Sequence, residues 1–151
     1  MKELRVTPIK NGTVIDHISM GMALKVLQIL KITGDHSSPV TVAMNVASKG
    51  GTKDIVKIED RELETRELNK IALIAPNATI NIIRDYAVEK KFKVEVPGKV
   101  EDVVKCSNPN CVAVKENRMD HMTIVFSKEP VRVKCFYCER EIEDIAENII
   151  I

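Results

Sequence analysis

Aromatic side chains are scarce in this chain of 151 residues, of which 3% are aromatic and none is tryptophan. Proteins that bind single-stranded nucleic acid commonly stack bases on exposed aromatic rings, and this composition offers few such rings. The formal net charge of +1 gives no overall attraction to a polyanion. We therefore expect no nucleic-acid partner.

Long apolar runs are also missing from the chain. No segment approaches the roughly 20 apolar residues that a membrane span needs. The opening residues, MKELRVTPIK, lack the apolar core of a secretory signal. We expect a cytoplasmic protein with no membrane partner.

The sequence has no recognisable catalytic motif. No serine or cysteine stands out with a matching base, and no glycine-rich phosphate loop is present, since Gly50 and Gly51 alone indicate a turn. Asp16 and His17 are residue types used in acid–base catalysis. As neighbours on an extended segment, they are expected to point to opposite faces and to form no dyad. An enzymatic function is therefore disfavoured.

Four cysteines lie in the last third of the chain, with the spacing C-x4-C, 23 residues, C-x2-C. Two such pairs on turns can place four thiolates in a tetrahedron around zinc. Because protein ligands would fill every position, this zinc would be structural, with one ion per chain. The alternatives are unconnected thiols, two disulfides or an iron centre. The predicted ligands are Cys106, Cys111, Cys135 and Cys138.

Hydrophobic periodicity predicts an α+β fold. Helices are expected at 20–31, with an apolar stripe of Met20, Ala23, Leu24, Leu27 and Leu30, and at 66–75, capped by Thr65 and stopped by Pro76. The order, β-α-β-β-α-β with a further strand, is typical of a ferredoxin-like antiparallel sheet carrying two helices on one face. The predicted strands are ELRVTPI, VTVAMNV, KDIVKIE, ATINI and KFKVEV.

The composition changes at Pro97-Gly98, where we expect a boundary between domains of residues 1–97 and 98–151. The second piece contains the cysteines and two short alternating strands, HMTIVF and VRVKC. A piece of about 50 residues buries little surface and commonly needs a metal to fold. We therefore predict a small all-β zinc domain.

Two lysines on one predicted strand suggest an anion site. Lys53, Ile55 and Lys57 share one face at period two, and burial of two ammonium groups in a core would be costly. They therefore face solvent, as a charged edge that discourages aggregation, or they face an anion. Together with Lys10 and Asp16-His17 they would suit a nucleoside phosphate.

The motifs GTVIDHI, KDIVKIE and APNATIN, together with the cysteine spacing, resemble the regulatory chain of aspartate carbamoyltransferase, from Leu4 to the C-terminus. The resemblance implies a non-catalytic, cytoplasmic subunit of a hetero-oligomer in pyrimidine biosynthesis. It implies an allosteric domain that binds nucleoside triphosphates (CTP, ATP and UTP are the candidates) and joins a second copy in a homodimer. The zinc domain would contact the catalytic chains.

The same resemblance implies an effector pocket. By analogy, Asp16 and Lys57 would hold ribose and base, while Lys91, with His17 and Lys53, would meet phosphates. The implied pocket residues are Val6, Thr7, Pro8, Ile9, Lys10, Asp16, His17, Lys53, Ile55, Lys57, Asn81, Ile83, Tyr86, Val88 and Lys91. Two other functions are weighed against this one: a zinc-ribbon nucleic-acid binder, and a redox protein that uses Cys135 and Cys138.

Overall fold

The computed structural model describes residues 9–34, 37–116 and 120–151. Apart from Ile9, the strand predicted at ELRVTPI lies outside these ranges, as do the predicted pocket residues Val6, Thr7 and Pro8. Up to residue 93 the elements are β1 (Gly12–Ile18), α1 (Ala23–Ile29), β2 (Val40–Ser48), β3 (Gly51–Glu59), α2 (Thr65–Ile74), β4 (Thr79–Arg84) and β5 (Ala87–Lys93).

These five strands form one antiparallel sheet in the order β2-β3-β1-β4-β5. Buried residues of both helices and of the strands share one hydrophobic cluster, which includes Val26, Val56, Ile71 and Ile80. The helices therefore cover one face. No helix among the described residues covers the other face, which we call the open face. This arrangement confirms the predicted antiparallel sheet with two helices.

The centre of the sheet differs from the prediction. The strand between β3 and β4 is GTVIDHI, which was not among the predicted strands, although Asp16 and His17 were expected to lie on an extended segment. Gly12 is required here: its φ is +144°, and a Cβ atom would lie 2.2 Å from the carbonyl oxygen of Ile58. The last strand, β5, begins four residues before the predicted KFKVEV segment.

The helices are also shorter or shifted. Helix α1 covers only seven residues, so Met20 lies before it. Leu24 lies on its exposed side, and the buried residues are Ala23, Val26, Ile29 and, just after the helix, Leu30. The predicted stripe was therefore wrong at two positions. Thr65 is the first helical residue of α2 rather than its cap; the cap is Glu64, which forms a capping box with Glu67.

The buried carboxylate of Asp54 fixes the start of α1 and the edge of the sheet. One oxygen accepts hydrogen bonds from the backbone N–H groups of Gly21 and Ala23, at 3.0 and 3.1 Å. The other accepts from the N–H of Asn45, at 3.0 Å, where the pairing of β2 with β3 is irregular. Asp54 thus satisfies three N–H groups that strand and helix pairing leave unused.

Beyond residue 97 the elements are β6 (Lys99–Glu101), α3 (Val112–Lys115), β7 (Met122–Lys128), β8 (Val131–Cys135), β9 (Glu141–Ile142) and α4 (Ile145–Asn148). The four strands form a second antiparallel sheet in the order β6-β7-β8-β9. This confirms a small β unit with four cysteines, and β7 and β8 match the predicted HMTIVF and VRVKC.

The two units pack against each other through α2. Arg66 donates to the carbonyl oxygen of Asp102 at 2.7 Å, and Lys70 donates to that of Ile150 at 2.6 Å. Residues of both sheets belong to one continuous hydrophobic cluster. Among the described residues, no helix is long and apolar enough to cross a membrane.

Candidate functional site

A row of side chains crosses the open face of the first sheet. Lys57 pairs with Val14, Val14 also pairs with Asn81, and Asn81 pairs with Lys91. Directly paired residues of antiparallel strands project to the same face. Three of the predicted pocket residues, from three different strands, are therefore brought into one line.

Lys57 is the most buried member of this row, with 9% of its surface exposed. Burial lowers the pKa of its ammonium group, and the nearby carboxylate of Glu59 opposes that shift. Ile55 lies one step along the same face and is half-buried. A partly desolvated ammonium interacts more strongly with an anion than an exposed one does.

A second cluster lies at one end of the row. The ammonium of Lys53 is 2.8 Å from Oδ1 of Asp16, and the backbone N–H of His17 donates to the same oxygen at 2.7 Å. Nδ1 of His17 is 3.8 Å from Oδ2 of Asp16 and 3.4 Å from the hydroxyl of Thr79. Four polar side chains from three strands meet here.

This cluster overturns the prediction that Asp16 and His17 point apart. His17 has a φ of +56°, and the pairing of β1 with β3 is irregular between Ile15 and Ile18. This bulge breaks the alternation of side chains that a regular strand would impose. Burial acts to raise the pKa of Asp16, but the hydrogen bonds from Lys53 and His17 outweigh it and lower the pKa.

The opposite end of the open face is apolar. Ile83 pairs with both Gly12 and Val88. The backbone N–H of Tyr86 donates to the carbonyl oxygen of Lys10 at 2.9 Å, which places the Ile9-Lys10 segment beside the β4–β5 turn. Tyr86 and Val88 are exposed. Every predicted pocket residue in the described ranges therefore lies on this face or beside its apolar end.

One candidate was missed by the sequence reasoning. Lys93 pairs with Thr79, and Thr79 pairs with Asp16, so Lys93 projects to the open face beside the second cluster. The signal was the period of two along β5, which puts Lys93 on the same side as Lys91. We add Lys93 to the candidate residues.

The four cysteines converge in the second unit. All four Sγ atoms lie within 4.8 Å of one another, with 3.7 Å between Cys106 and Cys138 and 3.7 Å between Cys111 and Cys135. A tetrahedron with metal–sulfur bonds of about 2.3 Å has edges of about 3.8 Å. These separations fit a metal with four thiolate ligands, and they are too long for disulfides.

Metal binding requires these thiols to lose their protons. Burial raises the pKa of Cys106 and of Cys135. Burial acts in the same direction on Cys138, but hydrogen bonds from the backbone of Arg140 and the side chain of Asn108 lower its pKa to about 7. Without a cation, three buried thiols (Cys106, Cys111 and Cys135) and a partly buried one would share a small volume.

Comparison with known proteins decides the family. Residues 4–95 match the family model of the aspartate carbamoyltransferase regulatory chain, allosteric domain, and residues 98–148 match that of its metal binding domain. The chain belongs to this family. The resemblance seen in the sequence is confirmed, and with it the role of a regulatory rather than a catalytic chain.

Relatives of similar length support the assignment. The aspartate carbamoyltransferase regulatory chain of Methanothrix thermoacetophila is 52% identical over 151 residues, which cover 99% of this chain and 98% of the relative. Those of Pyrococcus abyssi and Methanothermobacter thermautotrophicus are 53% and 54% identical, over 95% and 93% of this chain and 95% and 90% of the relatives. The regulatory chain is therefore favoured over the nucleic-acid-binding and redox alternatives.

Proposed function

We propose that this regulatory chain binds nucleoside triphosphate effectors, with CTP, ATP and UTP as candidates, on the open face of the first sheet. It passes their effect to the catalytic chains of aspartate carbamoyltransferase, in pyrimidine biosynthesis and in the cytoplasm. The observation that carries this proposal is the row of Lys57, Asn81 and Lys91 across three strands, with a polar cluster at one end and apolar side chains at the other.

The shape of the face supports the binding of an elongated ligand. Four residue steps along β1 lead from the apolar end at Gly12 to the polar end at Asp16, a span of about 13 Å at roughly 3.3 Å per step. The apolar end suits a base, held by Ile83, Tyr86, Val88 and the Ile9-Lys10 segment. The carboxylate of Asp16 can accept from ribose hydroxyls, and the ammonium groups of Lys91 and Lys93 can meet phosphates.

We propose zinc as the metal of the four cysteines. Four thiolates in tetrahedral positions are the donor set typical of structural zinc. When bound, the ion would supply folding free energy and a rigid centre, and it would have no position open for a substrate. Its ligands would be the four cysteines. Cys106 precedes α3 and Cys111 stands at the start of that helix, while Cys135 ends β8 and Cys138 lies in the turn that follows.

The contact with the catalytic chains is proposed to lie on the metal-binding unit. Val112 follows the ligand Cys111, and Phe136 follows the ligand Cys135; both side chains are exposed, Phe136 by 56%. Exposed apolar and aromatic side chains held by a rigid metal centre are suited to a stable interface. We place the functional boundary between residues 97 and 98.

Pairing of two regulatory chains is proposed through the first sheet. Strand β2 forms one edge of that sheet, and Met44 on it is exposed, as are Met20 and Leu24 near α1. An edge strand beside exposed apolar side chains favours association with a second strand. Such a pair would carry two effector faces, the effector face being the open face of the first sheet in each chain. It would connect two sets of catalytic chains.

Calorimetric titration of the metal-loaded chain with CTP, ATP and UTP tests the effector proposal. We expect saturable nucleotide binding that is lost in Lys57→Met. This substitution removes the ammonium group but keeps a buried side chain of similar length. The effector proposal would be overturned if no heat of nucleotide binding were measured in the isolated chain or in the assembly, and if the bound catalytic chains responded to no nucleotide.

A further inference from the structure

A cavity of about 440 Å³ lies on the helix side of the first sheet, at its junction with the second unit. It is bounded by the end of α1, the first turns of α2 and residues 150–151. None of the predicted effector residues lines it. Its volume falls within the range of small-molecule sites, about 300–1,000 Å³.

Besides Arg61, which pairs with Glu67, three cations line this cavity. They are Lys31, just after α1, and Arg66 and Lys70, one turn apart on α2. Burial lowers the pKa of Lys70, the positive charges of Arg66 and Lys31 lower it further, and the carboxylate of Glu67 opposes this shift. Lys70 is only 7% exposed. A buried ammonium beside two like charges is unfavourable unless an anion compensates it.

The three glutamates of the cavity are engaged in other contacts. Glu67 pairs with Arg61 and accepts the backbone N–H of Glu64. Glu62 pairs with Arg84 at 2.9 Å, and Glu64 accepts a backbone N–H in the capping box. Within the described ranges, no carboxylate forms an ion pair with Lys31, Arg66 or Lys70.

Donors remain for a ligand. In the described part of the chain, the Lys70 ammonium makes one hydrogen bond, to the carbonyl oxygen of Ile150, and the Arg66 guanidinium makes one, to that of Asp102. A lysine has three N–H donors and an arginine five, in a planar fork that matches phosphate oxygens. Both residues line the cavity.

We propose that this cavity is a second anion site, separate from the effector face, which binds a phosphate group through Lys31, Arg66 and Lys70. The phosphate is either a free ion or the terminal group of a phosphate ester. Its ligands come from the segment just after α1 and from α2, and the two on α2 also hold backbone carbonyls of the second unit. An occupied site therefore stabilises the packing of the two units.

The test uses the metal-loaded full chain and inorganic phosphate as the probe. Binding is measured by calorimetry, and the thermal midpoint is measured against potassium chloride at equal ionic strength. We expect saturable binding that is weakened about tenfold or more in Arg66→Gln and in Lys31→Gln, since each removes a charged hydrogen-bond donor. Both side chains are exposed, so the variants should fold.

The matched control is Lys90→Ala, at an exposed lysine that belongs to neither site, which should leave phosphate binding unchanged. Loss of binding in Lys91→Ala but not in Arg66→Gln would place the phosphate on the effector face and overturn the proposal. So would a midpoint in phosphate equal to that in chloride. Comparison with ribose 5-phosphate distinguishes a free ion from an ester. The test of this phosphate site does not require that nucleotides bind the effector face.

Discussion

The ammonium of Lys53 lies 2.8 Å from Oδ1 of Asp16. By family resemblance Lys53 would bind phosphates and Asp16 would bind the ribose, and in this structure the two side chains form an ion pair with each other. This pair lies between β3 and β1 at the polar end of the open face. Lys53 and the N–H of His17 keep the pKa of Asp16 below its ordinary value of 3.8, although burial acts to raise it. The carboxylate therefore stays ionised at neutral pH.

The first prediction concerns the pH dependence of this pair. A carboxylate whose pKa is lowered by folding adds stability above its unfolded pKa and loses it as the pH falls through the folded value. Asp16→Asn should therefore be less stable than the parent chain above about pH 5, and the difference should shrink as the pH falls below 4. Urea unfolding of both proteins across pH 3–7 measures this difference. A gap that stays constant to pH 3 would show that the charge of Asp16 contributes nothing.

The second prediction compares two neighbouring lysines of β5. Lys91 pairs with Asn81 on the open face, whereas Lys90 pairs with Ile82 on the other side of the sheet, where its ammonium lies 5.4 Å from the Phe92 ring centre. Lys91→Ala should weaken nucleoside triphosphate binding by about tenfold or more, the loss of one charge-assisted hydrogen bond. Lys90→Ala should leave the affinity nearly unchanged.

Calorimetric titration of the two variants with the same nucleotide shows whether only Lys91→Ala loses affinity. Because both changes remove one positive charge from the same strand, long-range electrostatics alone would weaken both by similar amounts. Equal losses would therefore point to a general charge effect rather than to a pocket on the open face. Titration at two salt concentrations separates the two cases, since a general attraction is screened.

Some of this site could be predicted from the sequence and some could not, for physical reasons. The cysteines were predictable because metal geometry dictates their spacing. Lys53 and Lys57 were predictable because the period of two puts them on one face. The contact of Asp16 with His17 depends on a bulge, which places His17 at a positive φ and which no alternation of side chains reveals. Strand β1 was not among the predicted strands for a related reason. Its central position comes from pairing with both β3 and β4, which no local pattern reveals.

Asp54 is a further residue whose importance no local pattern indicated. It stands in β3 between Lys53 and Ile55, yet its carboxylate is fully buried and accepts N–H groups from two distant segments. A solvent-exposed position would have been the ordinary expectation for an aspartate in a charged stretch. Only the tertiary approach of α1 and β2 gives it partners.

The third prediction follows from these contacts. Asp54→Asn keeps the shape of the side chain but replaces one acceptor oxygen with a donor, which leaves at least one buried N–H group unpaired. We expect a loss of about 2–4 kcal/mol in the free energy of unfolding, measured with urea. Asp85→Asn is the control, because Asp85 is an exposed turn residue with a positive φ that asparagine tolerates; it should change stability by less than about 0.5 kcal/mol. A similar small change in both variants would contradict the role of Asp54.

The fourth prediction concerns removal of the metal. Chelation should unfold residues 98–151, because the four clustered thiols would then have no cation to hold them together. Hydrogen exchange should rise throughout β6–β9, while β1, β3 and β4 keep their protection, since their core is built largely without the second unit. The assembly should lose its catalytic chains on size exclusion, and added zinc should restore them. Co-elution of catalytic chains with fully chelated protein would show that the contact lies elsewhere.

The last prediction concerns Gly12, at the apolar end of the open face. Its φ of +144° is strained for any other residue, and a Cβ atom would lie 2.2 Å from the carbonyl oxygen of Ile58. Gly12→Ala should therefore separate β1 from β3, lower the free energy of unfolding by about 3 kcal/mol or more, and weaken nucleotide binding at Ile83, which pairs with Gly12. Gly34→Ala is the matched control, because nothing lies within 4 Å of a Cβ atom there and its φ is not in the positive range. Thermal unfolding and nucleotide titration of both variants test this. If Gly12→Ala unfolds like Gly34→Ala, the close approach of β1 and β3 is not what holds the apolar end of the effector face.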